Sequence, residues 1–284
     1  MRPEQSAWRS SAVAILPIPY EATTSWGAGT RQGPQAMLEA SRYVERYDEE
    51  LDSEPYRVGV CTLPPVDLPF SGPEQAVARL RLVYDELLEA AEGRFVIGLG
   101  GEHSISAAPA TAWAERLKGR LSVLQCDAHS DLRDTYHGTP WSHACVMRRV
   151  LEHVERIVSV GIRALTAEER AAMREGPVTT IFASEMRERG WVERALEALG
   201  PDVYLTFDVD FFDPGLLPAT GTPEPGGADW WQALDLLRAV FRDRNVVGAD
   251  VVELAPRPGE EASNFVAAKL VYKMIGYRMT QGGG

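Results

Sequence analysis

Residues 121–131, LSVLQCDAHSD, lead from an apolar run into Asp127, His129 and Asp131, three potential metal ligands on alternate positions. In extended backbone, side chains at i, i+2 and i+4 point to one face. Two carboxylates and an imidazole would then stand together at a strand end, with Ala128 and Ser130 facing away. Hard oxygen ligands mixed with imidazole suit a divalent cation such as manganese better than a thiolate site does. A solvated turn can carry the same letters, so the rest of the chain has to decide. It repeats the pattern: His103 in GGEHS, Asp208 and Asp210 in FDVDFFDP, and Glu253 in GADVVELAP each follow another apolar run. A solvated loop tip explains any one of these, and explains four poorly. The carboxylates of Asp127, Asp131, Asp208 and Asp210 also match the charge of two divalent cations, and packed together without metal they could not all remain ionised. Two such ions roughly 3.5–4 Å apart can share a water and lower its pKa toward neutrality.

Ligands placed this way need several strands that end at one edge. Apolar runs at 12–18, 56–61, 94–99, 121–124, 156–162, 178–182, 203–207 and 246–252 are the strand candidates. Helical patterns lie between them, clearest at 74–92, where apolar residues at 77, 80, 83, 84, 87 and 88 make one stripe. Pro34 opens a helix whose partial stripe takes in Met37, Leu38, Tyr43 and Val44. Further helices are expected at 107–117, 146–154, 167–174, 191–199, 230–241 and 264–277. Strands alternating with helices predict an α/β fold, a three-layer α/β/α sandwich on a mostly parallel sheet of about eight strands. In such a sheet ligands bind beyond the carboxyl ends of the strands, where the ionisable residues fall. No linker, composition break or repeat divides the chain. Residues 1–284 are therefore expected to form one domain, with a short polar arm at 1–11 and a frayed Gly tail at 280–284.

Composition narrows the partners. The net charge of −12 and the absence of a basic patch argue against nucleic acid, and that field suits a small cationic substrate. Three cysteines without CxxC spacing read as reduced thiols and point to the cytoplasm. The polar N-terminus lacks the apolar core of a signal peptide, and no apolar run reaches the roughly 18 residues of a membrane span.

In chain order, GGEHS, DAHSD, SVGIR, FDVDFFDP and PATGTPEPGG resemble the ureohydrolase family of arginases and agmatinases, and TTSWGAGTRQGP is similar to that family's N-terminal segment. The resemblance runs from about Ile15 to Tyr277 and implies an eight-stranded parallel α/β/α fold. It implies two manganese ions per chain, one held by His103, Asp127, Asp131 and Asp208, the other by Asp127, His129, Asp208 and Asp210. It matches His143 to the family's proton-shuttling histidine, and Glu253 to the carboxylate that pairs with the guanidinium group. Such a group is planar with a fork of donors, so one carboxylate can orient it. The family also implies a homo-oligomer, a trimer or hexamer.

Several points stay open in the sequence. His137 lies six residues before His143 and competes for the shuttle role, with His143 preferred. His153 reads as surface, Asp213 as a turn former, and Cys126 as packing. Asp250 is a candidate support for the ligands that nothing in the sequence proves. A single-zinc deacetylase would not need His103, Asp131 and Asp210 together. The GD and GNH elements of metallophosphoesterases are not evident, and a metal-stabilised binding protein would have little use for His143 and Glu253. Arginases hold the α-carboxylate and α-amino group with an Asn two residues after DxHxD and a polar Gly-Asn segment ahead of the shuttle histidine. This chain has Arg133 and GTPWSH there. DLRDTYHGTPWSHA instead resembles agmatinases, although PATGT is the arginase-like spelling. The expected reaction is agmatine to putrescine and urea. Arginine, formiminoglutamate and 4-guanidinobutanoate remain alternatives, the last because a cation at Arg133 would favour an anionic tail.

Overall fold

A computed structural model describes residues 3–91 and 93–280. The expected glycine tail beyond Thr280, and Glu92 at the end of the helix expected over 74–92, lie outside those residues. Eight strands are present: β1 (Val13–Ile18), β2 (Val60–Thr62), β3 (Phe95–Gly100), β4 (Leu121–Cys126), β5 (Arg156–Ile162), β6 (Val178–Phe182), β7 (Asp202–Asp208) and β8 (Asn245–Val252). They form one sheet in the order β2-β1-β3-β8-β7-β4-β5-β6, and every neighbouring pair is parallel. The sheet is all-parallel where the sequence promised a mostly parallel one. Its inner strands β1, β3 and β4 are buried along their whole length, which is why they read as unbroken apolar runs.

Helices cover both faces. On one side lie α1 (Gly33–Ser41), α6 (Trp191–Ala198), α7 (Trp230–Asp243) and α8 (Ala262–Thr280), packed through Met37, Trp191, Leu236 and Met274. On the other lie α2 (Pro73–Ala90), α3 (Ala107–Arg116), α4 (Val146–Leu151) and α5 (Ala167–Glu175), packed through Leu80, Ala108, Met147 and Met173. In α2 the buried positions Ala76, Val77, Leu80, Tyr84 and Leu88 repeat at helical spacing, so its stripe faces the sheet. A capping box starts α7, where Asp229 Oδ1 accepts from the amide of Gln232 and the Gln232 side chain accepts from that of Asp229. Among the described residues, no helix is long and apolar enough to cross a membrane.

The expected elements shift in three places. The strand expected at 56–61 is a short 3₁₀ turn at Pro55–Val58 followed by β2, because Pro55 opens the turn and Gly59 leaves it at φ 81°. Tyr43 and Val44 fall beyond the end of α1, and Tyr43 is 78% exposed instead of completing a buried stripe. Helix α4 stops at Leu151, short of the expected 154.

Strand order matters most for function. The last strand, β8, inserts between β3 and β7, and β7 pairs with β4. Four carboxyl ends that are far apart in the chain thereby become neighbours: β3 before His103, β8 before Glu253, β7 ending in Asp208, and β4 before Asp127. Just past β3, Gly101 lies so close to the backbone of Tyr20 that a Cβ would meet its carbonyl oxygen at 1.9 Å. This contact holds the loop after β1 against the start of the GGEHS turn.

Candidate metal centre

His103 follows β3 in a 3₁₀ turn and is fully buried. Its Nδ1 lies 3.0 Å from Asp131 Oδ2, 3.1 Å from Asp127 Oδ2 and 3.4 Å from Asp208 Oδ2. No hydrogen bond is made at this buried nitrogen. A lone ring atom aimed at three carboxylate oxygens is the arrangement a cation would complete. A second grouping consists of Asp127, His129 and Asp210, with ligand atoms within 4.8 Å of one another, and Asp127 belongs to both. His129 Nδ1 is 2.8 Å from Asp210 Oδ2. The donor set of carboxylates and imidazoles thus fits hard divalent cations.

The local backbone differs from the alternating strand end expected for Asp127, His129 and Asp131. Strand β4 stops at Cys126, and the three ligand candidates lie in the loop after it. Asp131 adopts φ 52°, a left-handed conformation costly for a residue with a Cβ. Its carbonyl accepts the Met147 and Arg148 amides of α4 at 3.0 and 3.3 Å, which holds the turn in place. Ser130 Oγ and the Leu132 amide, on either side, both donate to Glu169 Oε1 at 2.6 and 3.2 Å. Glu169 Oε2 meanwhile caps α5 at the Thr166 amide, 2.7 Å away. Gln125 donates to Asp127 Oδ2 and to the His129 carbonyl, at 2.9 and 3.0 Å. Convergence comes from this loop, not from strand alternation.

Partners behind the ligand candidates fix their orientation. His103 Nε2 lies 2.8 Å from Thr206 Oγ1, and that hydroxyl donates to the buried Asp250 at 2.7 Å. With its proton committed to Asp250, Thr206 accepts from Nε2–H, which leaves the Nδ1 lone pair facing the carboxylates. Tyr204 donates to the other Asp250 oxygen at 2.7 Å. A similar chain orients His143, in the 3₁₀ turn ahead of α4. Thr23 Oγ1 donates to buried Glu102 at 2.7 Å, and lies 3.1 Å from His143 Nδ1. His143 Nε2 then faces Ser25 Oγ, 2.9 Å away, in the cavity. His137 is exposed, stacks edge-on against Tyr136 and does not line that cavity. Thr23, Ser25, Glu102 and Thr206 carried no signal in the sequence reading beyond lying in or beside its motifs. Asp250 takes its place only through Thr206.

Glu253 follows β8 at φ 65°, buried, with its Oε1 accepting the His103 amide at 2.6 Å. Its own amide donates to the Gly101 carbonyl at 2.8 Å. The remaining sequence candidates lie elsewhere: His153 is exposed, Cys126 is buried, and Asp213 closes a turn by accepting the amides of Gly215 and Gly226, each at 2.8 Å. Above the carboxylates opens a cavity of about 290 Å³, lined also by Arg133, Tyr136, Leu165, Glu169, Thr222 and Glu224. Arg133 stacks over the Tyr136 ring at 4.6 Å, and its Nε is 3.8 Å from Glu169 Oε2.

Charge crowding shows in the acidities. Burial, then the nearby Asp210 and Asp131 charges, push Asp127 up to about 7. Burial and Asp210 likewise raise Asp208 well above the usual carboxylate range. Burial alone would depress His129, yet the Asp210 charge holds it up at about 11. Asp210 itself, despite burial, is pulled to about 2 by His129. Burial lowers His143, so its ring is neutral at pH 7. Without metal, therefore, protons stand in for cations.

A family model described as the Arginase family matches residues 11–276. An N(1)-aminopropylagmatine ureohydrolase of Synechocystis sp. is 41% identical over 96% of this chain and 90% of its own length. A protein of the same name from Thermus thermophilus is 38% identical over 99% of this chain and 94% of its own. Among solved structures, the agmatine ureohydrolase of Thermoplasma volcanium superposes with a TM-score of 0.87, at 27% identity, over 98% of this chain and 93% of that one.

Two outcomes are expected. Thr206→Val removes the hydroxyl that holds Nε2–H, and should weaken one of two divalent-metal sites by about 10–100-fold, while Thr206→Ser keeps it. Calorimetric titration with manganese checks this; equal binding by both variants would refute it. The second concerns pH. A folded-state pKa raised above its unfolded value contributes stability that is lost as pH rises through the raised value. Asp127, lifted from 3.8 to about 7, and His129, lifted from 6.5 to about 11, act in this same direction. Asp210 acts oppositely, only below its unfolded 3.8. Chelator-treated protein should thus lose Tm between about pH 5 and about pH 8, and manganese should raise Tm most at the higher pH. A flat Tm profile would count against it.

Proposed function

Because the chain belongs to the arginase family and is an agmatinase-type ureohydrolase, we propose that it cleaves the guanidinium C–N bond of an amine-tailed guanidine. The substrate is N1-aminopropylagmatine ahead of agmatine, and the products are urea and the corresponding polyamine. Two relatives that carry the first substrate in their names support that order, and it amends the agmatine expected from the sequence. The observation that carries the amine-tailed class is the pairing of Arg133. It is the one arginine or lysine among the described residues lining the cavity, and Tyr136 and Glu169 already engage it. A carboxylate tail would therefore have to share that guanidinium with the Tyr136 ring and the Glu169 carboxylate.

The centre takes two divalent ions, with manganese preferred for its match to oxygen and imidazole donors. His103, Asp127, Asp131 and Asp208 would hold one; Asp127, His129, Asp208 and Asp210 would hold the other. Divalent ions held there would supply Lewis acidity and make a water nucleophilic near neutral pH. Glu253 uses Oε1 on the His103 amide, which leaves Oε2 to orient the planar guanidinium. As water oxygen bonds to the guanidinium carbon, the bond to the chain nitrogen breaks, and that nitrogen needs a proton. The neutral Nε2 of His143 accepts one released by the water and hands it to the leaving amine.

His143→Ala should lower kcat by about 10²–10⁴-fold with metal content unchanged. A comparable loss in His137→Ala, with His143→Ala near wild type, would reverse the assignment. For substrate, kcat/KM is to be compared across N1-aminopropylagmatine, agmatine, arginine and 4-guanidinobutanoate under saturating manganese. N1-aminopropylagmatine should lead agmatine by at least about tenfold, or about 1.4 kcal/mol. If agmatine leads, only the order is wrong; if 4-guanidinobutanoate leads, Arg133 receives the tail and the amine-tailed reading fails.

A further inference from the structure

We propose that Glu224 is the residue by which this cavity selects a cationic substrate tail, an inference that rests on the ureohydrolase reading above. The carboxylates around the cavity differ in what is left for a ligand to use. Asp131, Asp208, Asp210 and Glu253 are buried at its floor, where they face the two imidazoles and the guanidinium position. Glu169 is also buried, and its oxygens are taken by Ser130 Oγ and the amides of Leu132 and Thr166. Glu224 is half-buried, and its carboxylate meets no hydrogen-bond donor or cation among the described residues. It is the one wall carboxylate still unpaired above the floor.

Its main chain, in contrast, is tightly held. Arg163 donates from Nη2 and Nε to the Glu224 carbonyl at 2.8 and 3.2 Å. The same guanidinium reaches the carbonyls of Asp210, at 2.6 Å, and of Gly161, at 3.0 Å. The segment carrying Glu224 is thereby tied to the turn that carries a metal-ligand candidate. On its far side the Gly226 amide donates to Asp213 Oδ2 at 2.8 Å. Pro223 and Pro225 flank the residue and restrict the backbone further. An unpaired carboxylate on a fixed backbone is preorganised for a ligand, so little ordering cost remains when one arrives.

The chemistry of the tail follows. An ammonium gains a charge-assisted hydrogen bond at Glu224, whereas a carboxylate meets like charge. Arg133 does not offset this, being already stacked on Tyr136 and close to Glu169. Agmatine offers one ammonium beyond its butyl chain. N1-aminopropylagmatine has a secondary ammonium at that point and a primary one a propyl chain further on. Both are cations that the wall can accept, and 4-guanidinobutanoate is the counter-example with the same spacing and the opposite sign.

The test is kcat and KM of wild type, Glu224→Gln and Glu224→Lys for N1-aminopropylagmatine, agmatine and 4-guanidinobutanoate, in manganese. In Glu224→Gln the ratio of kcat/KM for the better amine to that for the carboxylate should fall by about tenfold, chiefly through a raised amine KM. Glu224→Lys should move the ratio further the same way. Both substrates are measured on one preparation, so any loss of folded protein cancels from the ratio. A wild type that prefers amines, with a ratio unmoved in both variants, overturns the role of Glu224 alone. A wild type that prefers 4-guanidinobutanoate overturns this inference together with the reading beneath it.

Discussion

Negative charge gathered out of water is the condition on which the rest of this structure depends. Asp127, Asp208, Asp210 and Glu253 are all buried within one group, a placement that water would ordinarily oppose by several kcal/mol per ion. The fold answers with fixed donors. The amides of Ala128, His129, Asp210 and His103 each point at one of these carboxylates, between 2.6 and 3.0 Å away. What the backbone leaves uncompensated is available to cations. The acidities described above are the mark of that deficit: His129 holds its proton tightly where metal charge would otherwise sit.

One device appears twice around this cluster. His103 is steadied through Thr206 by Asp250, and His143 through Thr23 by Glu102. In each case a buried carboxylate takes the threonine proton, so the hydroxyl oxygen can only accept from the ring. That leaves a lone pair on the ring nitrogen facing the carboxylates in one case and on the one facing the cavity in the other. A direct histidine–carboxylate pair would add another negative charge next to an already acidic centre. The intervening hydroxyl keeps that charge one bond further away.

Backbone strain is concentrated at the same place. Asp131 and Glu253 both adopt left-handed conformations, at φ 52° and 65°, and each is held by main-chain hydrogen bonds from another element. Both side chains line the cavity, and the strain persists because α4 and the GGEHS turn over-determine it. The outer wall, by contrast, is held through Arg163 to the same turn as Asp210, so the wall and the floor of the cavity share one rigid support.

The sequence by itself determined the fold class and named the residues that gather at the floor. Apolar runs long enough to be buried on both faces could only become strands of a covered parallel sheet. Acid and imidazole side chains at the ends of four of those runs already marked a candidate metal site. It misjudged local backbone where proline and glycine ended regularity, as at Pro55 and Gly59, and where Asp131 leaves extended conformation. Strand order was beyond its reach, because no local pattern states that β8 enters between β3 and β7. The supports were equally hidden: Thr23 lies 120 residues from His143, and Thr206 lies 103 from His103. Arg133 gave the clearest case. Its letter kept an anionic tail open as an alternative, but a neighbouring ring and the distant Glu169 lie against its guanidinium, and only the tertiary structure brings that glutamate near. Spacing along a chain sets which groups can share a strand end; their charge balance depends on contacts that form only when the chain has folded.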